Sequence, residues 1–446
     1  MDKSKIKEII NISVPAIIES IVVVIIAQID TKMISVLGRG AISAVSFTMQ
    51  PKLIVFAVFF ALGTALSFFV AKSYGACDRD TANKSFVLVL RITVILSIVL
   101  GVLLYFLAEP IMTICNRQED TVDMSISFYR IIMGLMIFHN LSVILNSALR
   151  GIGKMKVTLL SSAVMGVVDI IFNYLLIEGH MGFPALGIIG DAYATVLGTV
   201  AACITSIIAI YKEKGFLSVK GLFTRRVSND RDFVKAIIGK SGNIVFENIF
   251  TRIGFLISAI ISSNLNSDST DVYSVGMILF NYSFAFGDGL SKAALTLVGK
   301  SLGANNNKDI KTYSKYLNNS GIIISVILGI LFITCSRLFF GTFFDDEYMI
   351  EQGFYTSVIV AILSLLQIVR LVDVGVLRGL GNMKAPKNMA TVCVLFINPI
   401  CSFIFAIAMS LGIWGIWLAS FVTQLAWYIM GMISYRKGLS ALDKTN

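Results

Sequence analysis

The chain has 446 residues, 56% of them hydrophobic and only 14% charged, with a mean hydropathy of +0.82. Soluble domains carry about 25% charged residues, so this composition disfavours a soluble enzyme, a nucleic-acid-binding domain, a disordered chain and a disulfide scaffold. The net charge of +10 needs another explanation, and six scattered cysteines with two histidines, His139 and His180, give little material for a metal site.

At roughly 20 apolar residues per span, the length accommodates about twelve transmembrane helices. Apolar runs place them near 10–36, 46–71, 86–107, 126–148, 157–177 and 187–211 in the first half of the chain. In the second half they fall near 237–263, 272–299, 317–340, 352–377, 388–410 and 412–434. The first run follows Lys3, Lys5 and Lys7 as the core of a signal peptide would. It also carries Pro15, Glu19 and Asp30 and lacks an A-x-A-like cleavage site, so it reads as helix one. The cysteines, each alone within or beside such runs, read as small packing residues.

Lysines and arginines then orient the chain. With the N-terminus cytoplasmic, the termini and even-numbered connections hold 27 of them, and the opposite side holds three: Arg39, Arg117 and Arg337. The positive-inside rule therefore puts both ends in the cytoplasm and accounts for the net charge as a topology signal beside an anionic leaflet. The longest connection, Tyr211 to Lys240, carries eight of these cations and reads as a cytoplasmic linker at the headgroups. It separates an N-terminal six-helix bundle, 1–210, from a C-terminal one, 241–446, with 211–240 between them.

The two halves repeat one another. Leu149-Arg150-Gly151-Ile152-Gly153-Lys154-Met155-Lys156 recurs as Leu377-Arg378-Gly379-Leu380-Gly381-Asn382-Met383-Lys384, an offset of 228. Val70 to Ala76 recurs as Val298 to Ala304, and Glu19 falls on Glu247, at the same offset. Past a shorter loop, Asn173 matches Asn398 and Leu186 to Gly190 matches Leu411 to Gly415, at 225. Six helices per half is an even number, so both copies start on one side of the membrane. The expected fold is an all-α integral membrane protein of twelve transmembrane helices, in two six-helix bundles related by a parallel pseudo-two-fold repeat. Transporters of this design rock two halves about a central site.

Several features together resemble the multidrug and toxic compound extrusion (MATE) transporters. They are the helix-one pattern Pro15…Asp30…Gly38, the segments ending Tyr74-Gly75-Ala76 and Leu302-Gly303-Ala304, both Leu-Arg-Gly-x-Gly loops, and Gly190-Asp191-Ala192-Tyr193-Ala194-Thr195. The resemblance covers the whole chain, and it is the order and spacing of the motifs that make it specific. It implies a V-shaped cavity between two bundles and export of organic cations against inward sodium or protons, with no cofactor, from a multi-pass position in the cell membrane.

Carboxylates at membrane depth are costly and so are functional candidates. Those within the spans are Glu19, Asp30, Asp169, Asp191, Glu247, Asp288 and Asp373. Asp30 lies in the outer part of helix one. Asp169 and Asn173 are at i and i+4 on helix five, and Asp191 and Thr195 at i and i+4 near the outer end of helix six, so each pair shares a face. These five bring hard oxygens to one depth, as a sodium or proton site requires. The resemblance implies the same place for the cation site, with acid and amide exchanged on helix five. Asp191 also admits a plainer role as helix N-cap after Gly190. Glu19 and its repeat mate Glu247 are expected to line the cavity and balance cationic substrates, or else to brace the two halves. Asp288 and Lys292, at i and i+4, read as a neutralising pair. Lys52 of Gln50-Pro51-Lys52 and Arg130 read as internal partners of the acids.

The runner-up within the wider superfamily is a flippase for lipid-linked saccharides, for which an arginine-rich cavity is expected. A membrane-embedded enzyme is disfavoured, because H-E-x-x-H, G-x-S-x-G and P-loop motifs are missing. The expected partners are therefore the lipid bilayer and small cationic or amphipathic molecules, not nucleic acid, with the protein acting as a monomer.

Overall fold

A computed structural model describes residues 3–116, 119–212, 216–218, 231–263 and 267–443. Half of the Tyr211–Lys240 linker, residues 213–215 and 219–230, and Arg117 lie outside the described residues. Among the described residues the chain is helical, with turns and short loops between helices and no strand.

The helices in chain order are α1 (Lys3–Ile34), α2 (Arg39–Gly75), α3 (Arg79–Phe106), a short α4 (Ala108–Cys115), α5 (Glu119–Gly134), α6 (Met136–Gly151), α7 (Met155–Leu176) and α8 (Ile188–Lys212). The second series is α9 (Arg231–Ser263), α10 (Ser267–Gly303), α11 (Asn307–Thr334), a short α12 (Ser336–Phe340), α13 (Glu347–Gly379), α14 (Lys384–Ala408) and α15 (Gly412–Asp443). Among the described residues nine helices are long and apolar enough to cross a membrane, and α5 with α6 forms a tenth span bent by 48°. The helices α9 and α10, 33 and 37 residues long, stand where spans seven and eight are expected. The fourth span, expected as one apolar run near 126–148, breaks at Leu135. Its bend lies where Gly101 of α3 approaches the Met133 and Gly134 carbonyls, so closely that a Cβ there would stand 3.2 Å and 3.6 Å from them. In α14, π-helical turns cover Thr391–Ile397 and Phe403–Ala408.

The chain divides into two compact units, Val22–Gly242, and Met1–Ile21 with Asn243–Asn446. In the second unit the first turns of α1 are tied by Lys300 Nζ to Glu8 at 2.7 Å and by a Lys5–Asp309 ion pair.

Within each unit the same local solutions recur at the sequence offset. Gly151 would set a Cβ 2.7 Å from Val70, and its mate Gly379 would set one 2.7 Å from Val298, the mate of Val70. Left-handed backbone recurs at Cys77 and Asn305, at Gly153 and Gly381, and at Gly187 and Gly412. Asp78 caps α3 by accepting from Thr81 N at 3.0 Å, and Asn306 caps α11 by accepting from Asp309 N at 3.0 Å. Even the outer surface repeats. Ile95, Val99 and Val102 of α3 are 64%, 57% and 55% exposed, and their mates Ile323, Ile327 and Ile330 of α11 are 59%, 57% and 58% exposed. A stripe of that size, at i, i+4 and i+7, is a lipid-facing surface. Lipid is as apolar as leucine, so burial of apolar area does not drive these helices together; close approach over glycine does.

Candidate functional site

The polar centre of the first unit is assembled from α1, α7 and α8. Asn173 Nδ2 donates to Asp30 Oδ1 at 2.7 Å, joining α7 to α1 across 143 positions of sequence. The Thr195 hydroxyl lies beside the Asp169 carboxylate, bringing α8 to α7. Those helices meet closely because α8 carries Gly198 at their contact. A Cβ there would stand 2.8 Å from the Met165 carbonyl and 3.2 Å from the Asp169 Cβ. The members of one i, i+4 pair thus reach different neighbours: Asn173 meets α1 while Asp169 meets α8.

Asp191 belongs to the same centre. It is 1% exposed, and Asp169 and Asn173 are 6% and 0% exposed. The capping alternative fails on geometry, since α8 already begins at Ile188 and neither Asp191 carboxylate oxygen accepts from a backbone N–H. Asp191 feels the charge of Asp30 and then of Asp169, and Asp169 feels that of Asp30. Buried oxygens without a hydrogen-bond partner are Asp169 Oδ1, Asn173 Oδ1 and both of Asp191. Such oxygens are what a hard cation or a shared proton would satisfy. Among the described residues no three acidic, cysteine or histidine side chains converge tightly enough to ligate one metal ion. The cluster is thus oxygen-rich and open.

Lys52 of α2 faces this centre. Its ammonium interacts electrostatically with Asp191, Asp30 and Asp169, and its Nζ stands 5.8 Å from the Phe128 ring centroid of α5. Arg130 does not serve these acids. Its guanidinium lies 3.5 Å from Glu109, on the short α4, and over the Tyr105 ring. The reason is direction: Arg130 faces the α3–α4 side of its helix, where a partner too short to register as a span supplies the carboxylate.

In the second unit the corresponding place is neutral. Asn398, the mate of Asn173, donates to Ser258 Oγ, the mate of Asp30, at 2.9 Å. The bond is conserved between the repeats while the charge is not. Glu247 instead pairs with Arg378 at 2.8 Å, through Oε1; its Oε2 is buried without a partner. This pairing was not legible in the sequence, which places Glu247 at membrane depth but Arg378 in the loop that follows the 352–377 span. Close by in the same network, Arg370 stacks at 3.7 Å on Trp427, and Asn318 donates to Asp373 at 3.0 Å. Asp288 and Lys292 form the expected pair at 2.7 Å, and Ser20 donates to the same Asp288 oxygen. Glu19, the residue immediately before Ser20 in α1, is buried at 2% exposure.

Comparison with known proteins agrees with this reading of the repeat. The MatE family profile matches twice, over residues 15–175 and 244–404. The uncharacterized transporter YisQ of Bacillus subtilis (strain 168) is 21% identical over 431 residues, covering 96% of this chain and 93% of YisQ. The probable multidrug resistance protein NorM of Thermotoga maritima is 24% identical over 419 residues, covering 92% of this chain and 88% of that protein. Among solved structures, a multidrug resistance MATE family transporter of the MOP superfamily, in its outward-facing conformation, superposes with a TM-score of 0.89 at 17% identity, covering 98% of this chain and 96% of its own. A MOP superfamily transporter from Pyrococcus furiosus superposes at 0.90 and 18% identity, covering 98% and 96%. The fold is therefore that of these transporters, and two family-profile matches spanning most of the chain settle its kinship: this multi-pass membrane protein belongs to the MatE family, whose members are transporters and not enzymes.

Proposed function

We propose that the chain is a secondary active antiporter, exporting organic cations in exchange for sodium or protons by alternating access. The observation that carries this reading is the confinement of charge to one of two matched polar centres. Asn173 bonds to an aspartate in the first unit and Asn398 to a serine in the second. An ion that binds only the charged centre biases one bundle's conformation through its differential affinity, which is what coupling requires. Asp30, Asp169, Asn173, Asp191 and Thr195 form the ion site in this proposal. Glu19 and Glu247 contact the cationic substrate, Glu247 through the oxygen that Arg378 leaves unused. The two bundles are 1–210 and 241–446, the 211–240 linker and both termini face the cytoplasm, and the protein works as a monomer in the cell membrane.

The test is transport by the full chain in sealed proteoliposomes, with sodium and pH gradients imposed separately. One gradient drives uptake or release of a fluorescent organic cation, and Asp30→Asn abolishes that dependence while the protein stays folded and still binds the cation. Full coupled transport by folded Asp30→Asn protein would remove the ion site from this cluster. Movement of a lipid-linked saccharide with neither gradient would replace the antiporter with a flippase.

A further inference from the structure

The oxygen cluster carries a feature that its five proposed ligands do not explain: a lysine in a membrane-spanning helix within electrostatic reach of three carboxylates. We propose that Lys52 is a tethered cation of this site, whose ammonium offsets the acid charge when the coupling ion is absent and which the arriving ion must displace. The inference rests on the ion-site reading above.

Three independent observations carry it. The first is placement. Lys52 interacts electrostatically with Asp30 of α1, Asp169 of α7 and Asp191 of α8, and among the described residues it has no ion pair within 4 Å. Its one close partner is the Phe128 ring, with His139 of α6 also within electrostatic reach. A lysine locked onto one carboxylate would cancel that charge permanently. Lys52 instead leaves both Asp191 oxygens and one Asp169 oxygen unpartnered, so a second cation has somewhere to bind.

The second observation comes from the repeat. The four charged residues Asp30, Lys52, Asp169 and Asp191 fall on Ser258, Phe280, Val394 and Ile416. The uncharged members keep their character: Asn173 falls on Asn398 and Thr195 on Ser420. Lysine and acids are thus present together in one half and absent together in the other, while the neutral frame is kept. A lysine serving only general packing would have no reason to follow the acids.

The third is freedom to move. Pro51 precedes Lys52 inside α2. Proline offers no N–H to the carbonyl one turn back, so the helix is locally deformable there. The lysine stem adds four flexible carbons behind a compact point charge. An ammonium that can retreat toward Phe128 while an ion enters, and return as it leaves, would promote ion release into either compartment.

Competition of this kind predicts that removing the ammonium tightens ion binding. The measurement uses the full chain in nanodiscs: binding of radioactive sodium at fixed pH, and, in sodium-free buffer, a pH titration of the carboxyl infrared band. Lys52→Met should lower the half-saturating concentration of whichever cation responds by about tenfold, the effect of one fixed charge removed at intermediate dielectric. Ion-driven turnover should fall in the same variant, because release slows. Lys52→Arg keeps the charge and should stay within about twofold of the parent. Lys52→Gln replaces the methionine variant if that one does not fold. Unchanged ion affinity in a folded, uncharged variant, with the response still lost in Asp30→Asn, would overturn the role of Lys52 alone. An Asp30→Asn protein that binds the ion as the parent does would instead overturn the ion site itself.

Discussion

A carboxylate in a membrane-spanning helix needs a partner, and Glu247 has one in Arg378 at 2.8 Å. Breaking a buried pair from one side leaves the other charge unsatisfied, at a cost of about 3–5 kcal/mol. Glu247→Gln should therefore lower the melting temperature and also reduce export of monovalent organic cations more than export of neutral substrates. The double variant Glu247→Gln with Arg378→Gln separates the two effects: it should recover the melting temperature without recovering cation export. Equal loss for both substrate types, repaired in the double variant, would make Glu247 a brace and nothing more. The same residues mark how far sequence reaches. Helical spacing alone brought Asp169 with Asn173, and Asp191 with Thr195, because i and i+4 share a face whatever the fold. It could not supply the Asn173–Asp30 bond, whose partners are joined by packing, nor the choice of Arg378 for Glu247 across 131 positions. Lys52 was legible as a partner of the acids in general; only the structure brings it within electrostatic reach of Asp30, Asp169 and Asp191 together.

At the level of helices, the site depends on how near α7 comes to α8, and that distance is set at Gly198. A methyl group there would lie 2.8 Å from the Met165 carbonyl, a backbone atom that cannot turn aside. Gly198→Ala should cost about 1–3 kcal/mol of stability through overpacking. It should also separate Asp169 from Thr195, weakening the ion response without altering any polar group. Gly242→Ala is the matched control, since a Cβ at Gly242 meets nothing within 4 Å. Thermal melting and sodium or proton binding on both variants check this; an ion response in Gly198→Ala equal to that of the control would show that helix spacing does not hold the site. Span positions were legible because membrane helices advertise themselves through long apolar runs. The bend at Leu135 was not, since the run 126–148 contains no proline, and the close approach of α3 beside it joins residues distant in sequence. Nor was α4, whose eight residues are too few to register as a span although they carry the acid for Arg130.

On the scale of the whole chain, the repeat and the distribution of cations make one joint prediction about topology. Caps, left-handed turns, glycine contacts and lipid-facing stripes recur at the same offset, so each half follows the same path through its own helices. If each half crosses the membrane an even number of times, the N-terminus, the connection between the halves and the C-terminus lie on one side. The 27-to-3 division of lysine and arginine between the two sets of connections says which side: insertion retains positive loops in the cytoplasm. The prediction is strongest for the connection from Tyr211 to Lys240, because its eight cations would each have to be carried across in an inverted protein. Trypsin added to right-side-out cells should therefore leave the chain intact at this connection, and trypsin added to inside-out vesicles should cut it into two halves of nearly equal size. Cleavage from the outside would mean either an inverted protein, with both termini outside as well, or an odd number of crossings in the first half and with it the loss of the parallel relation between the two bundles.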